Sequence, residues 1–255
     1  MEKARRPSVG PGGTVGRPCD NLIPDTTADV RLTGLERFLE FWLGPRRPEY
    51  GEPAESLATM ELPDSLRRFY AFAGRWPPAF PPYCMNRFHV QDRFLPLDPG
   101  PWGNVYRSGP YFVFVAENQS VWEVATLPSG DDPGVWVSED CSHRSSSPIW
   151  RQLDNPLSHF LVTLVLQETM FGSKFGACHE NALSLFANAG CEVEPIWLNA
   201  EFTWPEVRHS YFLVDRRILL RRDSGNLALD DQWYGLNDPA AAELVERLNL
   251  PSKIR

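Results

Sequence analysis

The residue types able to do covalent chemistry cluster at positions 141–179 and at His209. Cys178 and His179 are adjacent, and a thiol near a helix N-terminus has a lowered pKa while a nearby imidazole can act as its base. Neighbours on a helix point about 100° apart, so His179 is badly aimed at Cys178 and His209 would have to take that part. A small cysteine buried at a helix start is the reading this spacing favours, and a thiol-dependent hydrolase is the enzymatic alternative. Cys141, His143, Cys178 and His179 are zinc-type ligands without the separation of about two to four residues inside each pair that marks a zinc site. Gly172, Ser173 and Lys174 lack the upstream glycine and the order of a P-loop, and no GxGxxG follows a strand. No metal or cofactor is expected, and no carboxylate pair can be assigned to acid and base roles from sequence.

The elements that must position these groups follow from hydrophobic spacing. Thr33 and Glu36 read as a capping box opening an amphipathic helix with Leu35, Phe38, Leu39, Trp42 and Leu43, which stops at Gly44 before Pro45. A second helix runs from Pro63 to Gly74, with Leu62, Leu66, Phe69, Tyr70 and Ala73 on one face. Trp76 to Tyr83 holds four prolines and predicts a stiff extended surface segment. Tyr111–Ala116 and Ser120–Ala125 read as antiparallel strands joined by a polar hairpin loop, and Val135–Val137 as a third strand after the turn residues Pro128 to Gly134. Asn155 then caps a helix with Pro156 at its first position, apolar on more than one face and ending at Gly172. His179 to Ala189 predicts another helix. Val193–Leu198, Tyr211–Asp215 and Ile218–Leu220 predict strands, the first an edge because of Pro195, and Asp238 caps a final helix. The fold class expected is α+β, a mainly antiparallel sheet flanked by helices.

At 255 residues with 42% hydrophobic content the chain can bury one large core. Residues 1–29 hold PSVGPGGTVGRP and few large apolar groups, so they are expected to be a disordered tail before a single domain over 30–255. The net charge is −8, and residues 21–255 hold 21 Lys and Arg against 31 Asp and Glu, a formal −10. Duplex nucleic acid needs a basic face and is disfavoured as a direct partner; a basic protein suits this charge, as does plain solubility. Apolar runs fall well short of about 18 residues, so no membrane span is expected. Five scattered cysteines do not suggest a disulfide framework. Together these predict a cytoplasmic protein with reduced thiols.

The strand from Tyr111, the ENQ loop at Glu117 to Gln119, the aromatic strand after it and DDPGVWV at Asp131 to Val137 resemble the bacterial branch of the SUKH superfamily. LPDSLRRFYAFAGRW at Leu62 to Trp76 and LSHFLVTLVLQE at Leu157 to Glu168 resemble that family's early and later helices. The resemblance covers Pro53 to Phe171, and Gly134 stands where the family usually has a second proline. It implies a SUKH-like α+β domain and a non-enzymatic binding module, in bacteria commonly an immunity protein that occludes a cognate toxin, and otherwise a regulatory scaffold like the yeast cell-wall-assembly relative. Glu117, Asn118, Gln119 and Trp122 are the residues expected to contact such a partner, because polar and aromatic side chains supply orienting hydrogen bonds and anchors. The same loop residues also suit a purely structural turn.

Overall fold

The computed structural model describes residues 22, 26–75, 92–94, 105–117, 122–138, 148–204, 206–225, 232–251 and 253–254. The prolines of Trp76 to Tyr83 and the first 21 residues lie outside them, as does most of the expected tail. Helix α1 (Ala28–Leu43) begins earlier than the sequence predicts, because the Thr27 hydroxyl accepts the Val30 N–H at 3.4 Å and caps it. Thr33 and Glu36 therefore lie inside the helix and do not cap it. Both instead receive Arg68: its Nη2 donates to Thr33 Oγ1 at 2.9 Å, and its Nε donates to Glu36 Oε1 at 2.7 Å. The helix ends at Gly44, whose φ of 98° only glycine adopts cheaply.

A short helix α2 (Ala54–Ala58) precedes α3 (Asp64–Ala73), where Pro63 and Gly74 occupy the two caps. Leu62, Leu66, Phe69, Tyr70 and Ala73 are all buried, as their spacing predicts. The first sheet follows: β1 (Asp92–Phe94), β2 (Tyr106–Ser108), β3 (Tyr111–Glu117), β4 (Glu123–Thr126), β5 (Gly134–Ser138) and β6 (Trp150–Pro156). Its order is β1-β3-β4-β5-β6, with β2 also on β3, and every pairing is antiparallel. The expected meander is present as β3, β4 and β5, and Glu117 N–H donates to Trp122 O at 3.0 Å across the hairpin.

Helix α4 (Leu157–Phe171) is the centre of the molecule, and all fifteen of its residues are buried. Phe160 meets Phe114 of β3 edge-on at 6.2 Å and stacks on Phe202 at 5.3 Å. The helix's polar groups turn to the second sheet: Trp197 Nε1 donates to Thr163 Oγ1 at 2.9 Å and Arg221 Nη1 donates to Gln167 Oε1 at 2.8 Å. That sheet comprises β7 (Phe175–His179), β8 (Val193–Glu201), β9 (Arg208–Val214), β10 (Ile218–Ser224), β11 (Gln232–Leu236) and β12 (Lys253–Ile254), ordered β12-β7-β11-β10-β9-β8 and antiparallel throughout. Pro195 does mark an edge, since β8 is the last strand. The expected helix from His179 is a correction: Phe175 to His179 pairs residue by residue with β11, and α5 (Ala182–Asn188) starts only after the turn at Glu180 and Asn181. On the side of this sheet away from α4, α5 and α6 (Pro239–Arg247) cover a second apolar cluster around Phe186, Ile218, Leu220, Tyr234 and Val245. Asp238 caps α6 as expected, accepting the Ala240 N–H at 2.9 Å. The fold is α+β, two antiparallel sheets enclosing one apolar helix.

Candidate functional site

The turn written DDPG brings three helices to one carboxylate. Asp132 Oδ1 accepts the Ser158 N–H at 2.7 Å and the Ser65 hydroxyl at 2.8 Å, while Oδ2 accepts the Ser158 hydroxyl at 2.7 Å and Arg31 Nη2 at 3.1 Å. Arg31 comes from α1, Ser65 from α3 and Ser158 from α4. The N-terminus of α4 is thus capped from a distant loop and not by Asn155, because Asn155 and Pro156 are committed to β6. A negative group at a helix N-terminus also meets the positive end of the helix dipole. The aspartate of the family-like motif is therefore a structural junction.

His159 follows immediately, 6% exposed and 4.4 Å ring to ring from Trp197. Its Nδ1 has no hydrogen-bond partner among the described residues. Burial, with the Arg31 guanidinium adding to it and Asp132 opposing, carries the imidazole down to about 4. An unfolded histidine titrates near 6.5, so the unfolded chain takes up the proton first as pH falls. Stability contributed at this position is constant above that value and is lost between about pH 6.5 and 4. Between pH 7.5 and 5 the loss should be about 2 kcal/mol. Urea unfolding of the wild type and of His159→Phe checks this: the variant should lose less over that range by about this amount, and equal losses would refute it.

A second buried histidine, His209, lies on β9. His209 Nδ1 is 2.6 Å from Asp223 Oδ1, and Arg221 holds the same carboxylate through Nη2 at 3.0 Å. Burial lowers the His209 pKa despite the Asp223 hydrogen bond. For Asp223, burial acts upward, but the hydrogen bond from His209 and the Arg221 charge carry it down. His209 is therefore neutral at pH 7, with Nδ1–H donating to an ionised Asp223. This His–Asp pair resembles the base and orienting group of a hydrolase, but the thiol proposed for it is elsewhere. Cys178 lies on β7 and His209 on β9, with β11 and β10 between them, roughly 14 Å at the usual strand spacing. Cys178 is half-buried in a strand, not at a helix start. Cys141 and His143 lie outside the described residues, and among those described no three His, Cys, Asp or Glu come together to hold a metal.

The expected docking loop divides. Asn118 and Gln119 lie outside the described residues. Glu117 is half-buried at the end of β3. Trp122 is a correction: it is 6% exposed and meets Phe202 edge-on at 5.9 Å, because the chain turns inward there to fill the space between the two sheets. The aromatic surface lies elsewhere. Arg151 of β6 reaches Glu201 of β8, Nη1 to Oε1 at 3.6 Å, so its neighbours Trp150 and Gln152 point away from the second sheet. Register puts Trp136 beside Gln152 and Trp150 beside Ser138 on that outer face. Tyr111 joins them, 5.1 Å from Trp136 and 5.3 Å from Trp150. All three rings are half-buried, and Ile149 beside them in the chain is 80% exposed. The sequence placed Trp136 on the meander, but Trp150 escaped because RQLDNP after it holds no β-branched or aromatic residue to mark a strand.

No helix among the described residues is long and apolar enough to cross a membrane. Comparison of the chain with protein-family models, curated proteins and solved structures finds no match.

Proposed function

We propose that this chain is a SUKH-type protein-binding module whose docking face is the outer side of the first sheet, and that its partner is a toxin-like protein with a basic surface. The observation that carries the reading is the Tyr111, Trp136 and Trp150 cluster. Half-buried tryptophan and tyrosine are the side chains that anchor interfaces, since they bring large area with little rotamer entropy. The net charge of −8 adds attraction for a basic partner, and Glu117 ends β3 of the same sheet. The resemblance of the DDPGVWV segment to immunity proteins supports the class of partner.

The test is capture of the partner from the native host followed by binding kinetics with the purified protein. Gln152→Lys, at an exposed position beside Trp136, and Trp136→Ala should each weaken binding by about 2 kcal/mol or more. Glu117→Lys should weaken it by about 1 kcal/mol, and added salt should slow association more than it speeds dissociation. The urea midpoint of Gln152→Lys should stay at the wild-type value. Undiminished binding by Gln152→Lys and Trp136→Ala would refute the docking face, and capture of a nonbasic partner with salt-independent association would refute the toxin reading.

A further inference from the structure

A cleft of about 750 Å³ opens where the edge strand β8 passes the start of α4, within the range of pockets that hold small molecules. Leu22, Ile196 and Leu198 supply its apolar wall, and Asn155, Asn199 and His159 its polar groups. Arg31 also lines it, but this guanidinium is already engaged: Nε donates to Ser158 Oγ, Nη1 to Thr26 O and Nη2 to Asp132, whose charge it neutralises. Among the described residues no other charged side chain lines the cleft, so it offers no uncompensated charge to an occupant.

His159 sets the polarity of what fits. Its enclosed Nδ1 has no partner among the described residues, and a buried bare acceptor is tolerated better than a buried orphan N–H. The ring proton therefore belongs on Nε2, the nitrogen left to meet an occupant as a donor. A peptide strand is a poor candidate for that occupant. Pro195, two register shifts along β8 and the left-handed φ of 54° at Asn199 break the regular edge that an added strand needs.

We propose that the cleft binds an uncharged small molecule carrying a carbonyl or carboxamide on an apolar body, with the His159 imidazole donating to the carbonyl oxygen. The site is separate from the outer face of the first sheet. Benzamide, benzoate and benzamidine serve as isosteric probes of neutral, negative and positive charge. Their titration into the full chain is followed by the imidazole nitrogen resonances of the five histidines.

Benzamide should shift the His159 signals saturably, and benzoate and benzamidine should bind at least tenfold more weakly. His159→Phe keeps a ring and removes the donor, so it should bind benzamide at least tenfold more weakly, read from the probe's own saturation-transfer signal, while still unfolding cooperatively in urea. Leu198→Asp, at a residue 43% exposed at the mouth of the cleft, should weaken benzamide comparably without touching the imidazole. No saturable shift with benzamide, equal binding of the three probes, or undiminished binding by both variants would overturn the proposal.

Discussion

Asp132→Ala is expected to cost about 3–5 kcal/mol of stability, the range for removing one partner of a buried ion pair. The carboxylate and Arg31 are only 16% and 8% exposed, so the variant takes a close, largely buried counter-charge away from the guanidinium. It also leaves the Ser158 N–H at the head of α4 and the Ser158 hydroxyl short of an acceptor, while the Ser65 hydroxyl keeps only the Asp131 carbonyl. Asp132→Asn retains part of the hydrogen bonding and should fall between the two. The neighbouring Asp131 is an internal control: its side chain is exposed and only its backbone carbonyl is used, by Ser65. Asp131→Ala should change stability by less than about 0.5 kcal/mol, as surface substitutions do. Urea denaturation of the three variants measures this, and a loss below about 1 kcal/mol for Asp132→Ala would show that the junction does not hold the helices together.

Gly235→Val is expected to be comparably damaging for a steric reason. Gly235 sits in the middle of β11, where the strand crosses the end of α4. A Cβ placed there would overlap the Met170 carbonyl oxygen and lie 2.7 Å from Ser173 Oγ. The Met170 oxygen is backbone and cannot rotate aside, so either α4 or the sheet must shift. Overpacking of a tight core costs about 1–3 kcal/mol when side chains can adjust, and here the clash is with main chain. Failure to accumulate as soluble protein, or a urea midpoint lowered by the equivalent of about 3 kcal/mol or more, is the expected outcome. A midpoint within error of wild type would mean that the approach of α4 to β11 is looser than its geometry.

Much of this architecture is legible in the sequence because local signals agree with it. The i, i+4, i+7 spacing of Leu62, Leu66 and Phe69 fixes the buried face of α3, and the Asp238-Pro239 pair marks the start of α6. What escapes is set by contacts far apart in the chain. Asp131 and Asp132 read identically as turn formers, yet one faces solvent and the other binds α1, α3 and α4. Thr33 and Glu36 have capping-box spacing, and their partner is Arg68 on another helix. β7 is a strand because β11 lies beside it, not because FGACH announces one. The aromatic face depends on β6, and the cleft on the edge of β8 meeting α4, so neither could be read locally. Cys178 and His209, both prominent in the sequence, are kept apart by sheet order alone.

The complete burial of α4 has a consequence for how the protein is made. The helix and the first sheet leave the ribosome before any strand of the second sheet, which is built from residues 175–254. At a synthesis rate of roughly 5–20 residues per second, the face that will meet that sheet waits some 4–16 s for its cover. That face is apolar enough to attract other nascent chains, yet Thr163 and Gln167 interrupt it with polar groups. Those two side chains hydrate the helix during the wait and take up Trp197 and Arg221 when the second sheet arrives, making them guards against aggregation on the ribosome as well as fixtures of the finished core.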